Sequence, residues 1–410
     1  MDRNLDLIVF GATGFTGRLV AEYLQQTHGA QSSLSWAIAG RSKDKLEQVR
    51  DAIGAPATLP LLVADATDAV AVRRLVGRSR AVITTVGPYQ RHGEPLVRAC
   101  AEAGTDYLDL CGEPAWMAKM IPQLEPLAHA SGARIVFSCG FDSIPFDLGV
   151  VYLQHEAVRR FGEPMRFVHG RVRSIKGGMS GGTVASALAS FEQIAEDPTL
   201  ARTMADPFAL TPGFRGPRQP DGQSADYDKL AGAWSGPFMM APINTKNVHR
   251  TNALRGHPWG IDFEYDEKMM TGRGAKGQWR ARLLAAGGKV QAAMLTIGPS
   301  RRLLQRYALP KPGEGPGREA RERGRYDLRF FGQTADRQHT LVASVKGDRD
   351  PGYGSTSKMI AEAALCLIED IGRDATAGGV WTPGAAMGLA LARRLQQNAG
   401  LRFAIEDDQG

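Results

Sequence analysis

No stretch of about 18 consecutive uncharged apolar residues occurs in the 410-residue sequence, so an ordinary transmembrane helix is not expected. Nor does the chain open like a secretory signal. Met1 to Asp6 runs straight into the strand-like Leu7-Ile8-Val9-Phe10, with no small-residue cleavage site, and a cytoplasmic protein is expected. Cysteine is scarce: Cys100, Cys111, Cys139 and Cys366 form no CxxC pair and no metal-ligand spacing, and the eight histidines contain no HExxH. Neither a disulfide framework nor a catalytic zinc is expected, and Cys100 and Cys366, set among alanines and leucines, read as buried thiols. Aromatic residues make up 7% of the chain and are few where its charge is concentrated, which argues against nucleic acid as a partner. No internal repeat of fixed period is found.

The charge itself is +7, and the excess lies between Arg273 and Arg329. A basic surface of this kind attracts phosphates of lipid or nucleotide. Within it, Leu283 to Ile297 is apolar but broken by Gly287, Gly288 and Lys289. Two readings stand for residues 276–306: an interfacial helix giving peripheral membrane contact, or a core helix with basic ends. The length, with 43% hydrophobic residues, is that of two domains with separate cores.

Up to about residue 150 the sequence alternates strand and helix signals. Apolar strands are expected at 7–10, 34–39, 61–64, 81–86, 105–110 and 134–138, and helices at 18–26, 43–53, 70–76 and 116–131. This rhythm predicts βαβ units in a doubly wound parallel sheet, an α/β Rossmann-type domain over residues 1–150. After Pro145 it breaks. Residues 151–346 are expected to form a second, α+β domain for substrate or dimer contacts, including a helix over Thr183 to Glu196 and Pro/Gly-rich surface loops at 205–225 and 310–318. Residues 347–410 are expected to be a helical segment returning to the first domain.

Gly11-Ala12-Thr13-Gly14-Phe15-Thr16-Gly17 follows the first strand and opens the first helix, the context that gives a glycine pattern meaning. The first glycine permits the tight bend, the second lets backbone approach a pyrophosphate, and the third lets helix pack on strand. The helix N-terminus, with N–H groups of Thr13, Phe15 and Thr16 nearby, then stabilises phosphate. Where an NAD-specific domain would place a carboxylate, this chain has Ala39-Gly40-Arg41-Ser42. Arg41, with Ser42 and Lys45 as further donors, suits a ribose 2′-phosphate, so the expected cofactor is NADP(H). Asp65 is placed at the adenine, and Gly87 and Pro88 at the nicotinamide side.

In such a sheet the ligand lies outside the carboxyl ends of the strands. Three groups of polar residues follow strands there: Gly87 to His92, Asp109 to Glu113, and Cys139 to Ser143. Tyr89 is the first candidate proton donor, with packing against the cofactor as its alternative; Cys139 is a second, with a buried thiol as its alternative. Asp109, Glu113 and Asp142 are read as caps of turns or helices. The run from Lys176 to Thr183 contributes Ser180 and Thr183 as donors to a carbonyl or anion, or is only a loop and an N-cap. Short-chain-dehydrogenase chemistry is disfavoured, because the one Tyr-x-x-x-Lys, Tyr307 to Lys311, is interrupted by Pro310.

Taken in order, GATGFTG (11–17), AGRS (39–42), VGPY (86–89), YLDLCGE (107–113), GFDSIPFDLG (140–149), SGGT (180–183), GDRDPGY (347–353) and GGVWTP (378–383) resemble the saccharopine dehydrogenase-like oxidoreductases, in particular their trans-acting enoyl reductase branch. The likeness spans nearly the whole chain, and Cys111 departs from the small hydroxyl residue expected there. The resemblance implies NADPH-dependent reduction of the enoyl double bond of an acyl or polyketide chain, carrier-bound on a partner synthase, with Ser180, Thr183 and Tyr89 as donors to the thioester enolate. It also implies dimer contacts in the second domain. A saccharopine-type amino-acid or imine oxidoreductase is the alternative enzyme; arginines aligned for three carboxylates are not evident. A third reading is a cofactor-bound lipid-surface or scaffold protein without turnover.

Overall fold

The computed structural model describes residues 3–29, 33–178, 186, 188–190, 192–193, 197, 199–296 and 315–406, the side chains of 289 and 291–296 excepted. The strands are β1 (Leu5–Phe10), β2 (Trp36–Gly40), β3 (Leu61–Val63), β4 (Ser79–Thr84), β5 (Asp106–Leu108), β6 (Arg134–Val136), β7 (Phe167–Lys176), β8 (Asp226–Asp228), β9 (Ala233–Pro237), β10 (Glu264–Gly272), β11 (Arg325–Gln333), β12 (Thr340–Gly347), β13 (Gly379–Trp381) and β14 (Leu401–Glu406). They make two sheets of seven. The first runs β3-β2-β1-β4-β5-β6-β13 and is wholly parallel, the doubly wound order with one strand added at its edge. The second runs β14-β12-β11-β7-β10-β9-β8, and its one parallel pair is β7 with β10.

Helices α1 (Phe15–Thr27), α2 (Lys43–Ala52), α3 (Ala69–Val76), α4 (Tyr89–His92), α5 (Glu94–Ala103), α6 (Pro114–Ser131) and α7 (Ile144–Phe161) connect the first sheet. Central strands such as β1 are buried on both faces, as a parallel sheet covered by helices requires, which is why they read as continuous apolar runs rather than alternating ones.

The expectation of two separate cores is corrected. One apolar cluster holds Leu7 and Val9 of β1, Ile144 to Leu153 of α7, and Val168, Leu328, Phe330 and Val345 of the second sheet. The cause is α7, whose first ten residues are nearly all apolar and buried, and which packs against β11 and β12. At Gly149 a Cβ would sit 2.3 Å from the Phe330 ring, so helix and sheet approach more closely there than any other residue allows. The other face of the first sheet has its own cluster, built on Ile8, Val82, Tyr107 and Ile135 against α3, α5 and α6.

The chain end serves both sheets. Helix Thr356–Leu365 packs on α1, where Glu362 accepts the Tyr23 hydroxyl at 2.5 Å and Arg394 Nε at 2.6 Å. Strand β13 then joins the first sheet beside β6, and β14 closes the second beside β12. Between residues 347 and 406 the chain therefore packs on the first layer and also completes the second.

Candidate active site

The first sheet sends its functional turn out of β1. Gly11 takes a φ of +91°, and a Cβ there would lie 2.8 Å from Val86 Cγ2 and 2.9 Å from Thr85 Oγ1. At Gly17 a Cβ would lie 2.2 Å from the Gly11 oxygen. The turn is thus folded against the end of β4 and against its own helix, as the spacing of these two glycines predicts. Gly14 lies exposed between them as the N-cap of α1, with no side chain capping the helix and no acidic residue in its first turn. The unpaired N–H groups of that first turn and the helix dipole face outward together, an arrangement that favours phosphate. The Phe15 side chain is turned elsewhere, edge-on to Tyr353 with ring centres 5.2 Å apart and under the Arg321 guanidinium.

Beyond β2, Gly40 lies against the Thr13 side chain, which brings the AGRS turn beside the glycine turn. Arg41 and Lys45 are exposed. Ser42 caps α2 by accepting the Lys45 N–H. Asp65 accepts the Thr67 N–H at 2.8 Å and its hydroxyl at 2.7 Å; those bonds, and more weakly Arg41 and His92 nearby, hold its carboxyl below the usual range. The residues fit a dinucleotide with a 2′-phosphate: an open helix end for the pyrophosphate, and a guanidinium without a carboxylate at the end of β2.

The edge past β4, β5 and β6 is a network in which most polar groups serve the backbone. Tyr89 is buried; its phenol donates to the Thr84 carbonyl at 3.2 Å and accepts the Leu110 N–H at 3.1 Å. Glu113, also buried, accepts the N–H groups of Tyr89 at 2.9 Å and Gln90 at 2.8 Å, while burial raises its pKa. The cap expected for Glu113 is therefore a cap on α4, 23 and 24 residues back along the chain. Asp109 accepts from Cys111 N–H, Ser138 N–H and the Tyr107 hydroxyl, and burial pushes it up to about 7. The Cys139 and Cys111 thiols are enclosed, and burial raises both well above the ordinary value. Gly87 is exposed, and a Cβ built there would lie 3.5 Å from Ser186 Oγ. Ser180 and Thr183 lie outside the described residues, as does most of the helix expected over 183–196.

Asp142 is different in kind. It follows β6, half-buried, with an enclosed Oδ1 that has no hydrogen-bond partner, and burial pushes its carboxyl up to about 7. The sequence marks it only as a short carboxylate in a glycine-containing run, so its isolation was not readable there.

Residues 7–136 match the model of the saccharopine dehydrogenase NADP-binding domain. A Mycobacterium tuberculosis protein provisionally named a trans-acting enoyl reductase is 41% identical over 408 residues, covering 96% of each chain. A Mycobacterium bovis trans-acting enoyl reductase is 38% identical over 416 residues, again covering 96% of each. The chain belongs to the saccharopine dehydrogenase-like family, in its trans-acting enoyl reductase branch. It is an NADP-dependent oxidoreductase. Among solved structures, saccharopine dehydrogenase (L-Glu forming) from Saccharomyces cerevisiae covers 98% of this chain and all of its own at a TM-score of 0.52; at 12% identity the likeness is one of fold. Family membership agrees with the open helix end and with Arg41, both found without it. Among the described residues no group of three or more His, Cys, Asp or Glu is placed to hold a metal, and no helix is long and apolar enough to cross a membrane.

Proposed function

We propose that this oxidoreductase reduces the α,β double bond of an enoyl thioester on an acyl or polyketide chain, delivered on the carrier of a partner synthase. The observation that carries the reading is full-length similarity, 96% of both chains, to relatives named trans-acting enoyl reductases. The glycine turn and the Arg41 side chain hold the nucleotide ends of the cofactor, and Gly87 and Pro88 border its nicotinamide. NADPH, when bound, supplies the hydride that adds to the β-carbon.

The protein's own part in the chemistry is then orientation and a proton for the α-carbon. Tyr89 and Cys139, the two described sequence candidates for that proton, have their polar hydrogens directed at backbone carbonyls inside the fold. We assign Tyr89 a positioning role, bracing the end of β4 against the loop after β5. Asp142 is the proposed proton source: it stands at the carboxyl edge, its Oδ1 is unpaired, and burial keeps it substantially protonated near neutral pH. Delivery of its proton leaves a carboxylate, which solvent reprotonates at its accessible side.

NADPH oxidation followed with 2-enoyl thioesters, free and on a carrier protein, tests the proposal, and saturated product is expected. Absence of turnover across chain lengths, together with saccharopine-dependent reduction of NADP⁺, would move the assignment to amino-acid chemistry.

A further inference from the structure

Helix Gly274–Thr296 is the longest among the described residues and has two apolar faces. It lies on β9 and β10 through small residues: Gly277 and Ala281 are buried, and the Ala281 backbone passes within 3.0 Å of a Cβ built at Gly236. On the side turned away, Trp279 (64% exposed), Leu283 (55%), Ala286 and Val290 (59%) follow one another at spacings of four, three and four. At 100° per residue these four fall on one stripe, about opposite Gly277 and Ala281.

The flanks of that stripe are cationic. Lys276 and Arg282 lie about 60° to either side of it on the helical wheel, with Arg280 and Arg273 further round. All four are exposed, and none makes an ion pair with a described residue. From Arg273 to Gly313 the sequence contains no aspartate or glutamate. Two copies meeting along this stripe would bring lysine and arginine against lysine and arginine with no carboxylate between, so the helix repels its own likeness. A bare Trp and two aliphatic side chains between rows of cations match an interface that is apolar inside and anionic at its rim.

We propose that this helix docks the enzyme on an anionic phospholipid surface, with Trp279, Leu283 and Val290 entering the acyl boundary and Lys276 and Arg282 at the headgroups. The docking is independent of the reaction assigned above, since none of these residues belongs to the nucleotide turn or the carboxyl edge.

Co-sedimentation of the full chain with phosphatidylserine-containing vesicles and with pure phosphatidylcholine vesicles tests it. Binding is expected to the anionic vesicles and to fall as salt is raised. Replacing Lys276 and Arg282 together by glutamine is expected to weaken partitioning by about twenty-five-fold, each cation near such a surface contributing about a factor of five. The pair Trp279→Ser and Leu283→Ser is expected to weaken it by roughly thirtyfold or more, while NADPH binding, measured on the same preparations, stays unchanged. The proposal is overturned by absence of sedimentation, by equal binding to neutral vesicles, or by binding that both variants retain. It is equally overturned if the serine variant abolishes a dimer or a complex with an acidic carrier protein and has no effect on vesicles.

Discussion

Asp142→Asn should make the protein more stable and less active. Below about pH 4 the carboxyl is protonated in the folded and the unfolded chain alike, and its burial carries no ionisation cost. As pH rises from the ordinary 3.8 towards the folded value of about 7, the unfolded chain ionises first and folding loses about 1.4 kcal/mol per pH unit. Above about 7 the loss is complete, and for a fully enclosed carboxyl it would reach about 4 kcal/mol. Asp142 is only half-buried, which reduces the expected figure to about 2 kcal/mol. Asparagine keeps the shape and cannot ionise. Urea denaturation of both proteins at about pH 5 and about pH 8 should therefore show the variant's advantage growing with pH by about 1 kcal/mol, the rest having set in below about pH 5. In the same variant, NADPH oxidation with an enoyl thioester should fall by about a hundredfold, the typical worth of a positioned acid, while NADPH affinity is kept. Wild-type activity should decline as pH rises through about 7, as the acid loses its proton. A stability difference that does not change with pH would refute the burial argument. Full activity in the variant would refute the proton assignment alone.

Three further outcomes follow from the geometry. Arg41→Ala should weaken NADPH binding by roughly ten- to a hundredfold and leave NADH nearly unaffected, since hydrogen bonds to a charged group contribute about 1.5–3 kcal/mol; calorimetric titration of both nucleotides checks it. Gly17→Ala adds a good helix former to α1 yet places a Cβ 2.2 Å from the Gly11 oxygen. Overpacking of about 1–3 kcal/mol should outweigh the helical gain and open the turn, seen as lower stability and lost nucleotide binding together. Arg394→Met leaves the buried Glu362 carboxylate without its guanidinium partner, and a loss of about 3 kcal/mol is expected in denaturant titration.

The first sheet was legible because its information is local: apolar strand runs, a glycine turn between strand and helix, and helix signals at regular intervals are each contained in about a dozen residues. The parallel, doubly wound character of the sheet followed from the same rhythm, and Arg41 stood where a carboxylate would otherwise mark the ribose. What the sequence hid is carried by distant partners. The union of the two cores depends on α7 meeting Phe330 across 181 residues, a contact without any periodic signature. Strand β13 joins the first sheet with three residues, too few for a pattern. Tyr89 is the instructive case, since a tyrosine after β4 suggests chemistry, whereas its hydroxyl is fully engaged by Thr84 and Leu110.

The motif carboxylates show why resemblance identifies this family more readily than its catalytic groups. Asp350 in GDRDPGY accepts the N–H groups of Gly352, Tyr353 and Gly354, and its own backbone lies so close to Gly324 that no side chain fits between. Asp147 in GFDSIPFDLG accepts the Thr251 hydroxyl and the Gly384 N–H, both at 2.6 Å, which ties α7 to helix Ala241–Leu254 and to the residue directly after GGVWTP. Glu113 in YLDLCGE holds α4 in the same manner. A buried acceptor that satisfies two or three donors is costly to replace, whatever reaction the enzyme performs. Such residues fix the carboxyl edge in place and are spent in doing so. Chemistry is left to carboxyl-edge groups that the scaffold does not occupy, and among the described carboxylates of that edge Asp142 alone has an enclosed oxygen without a partner.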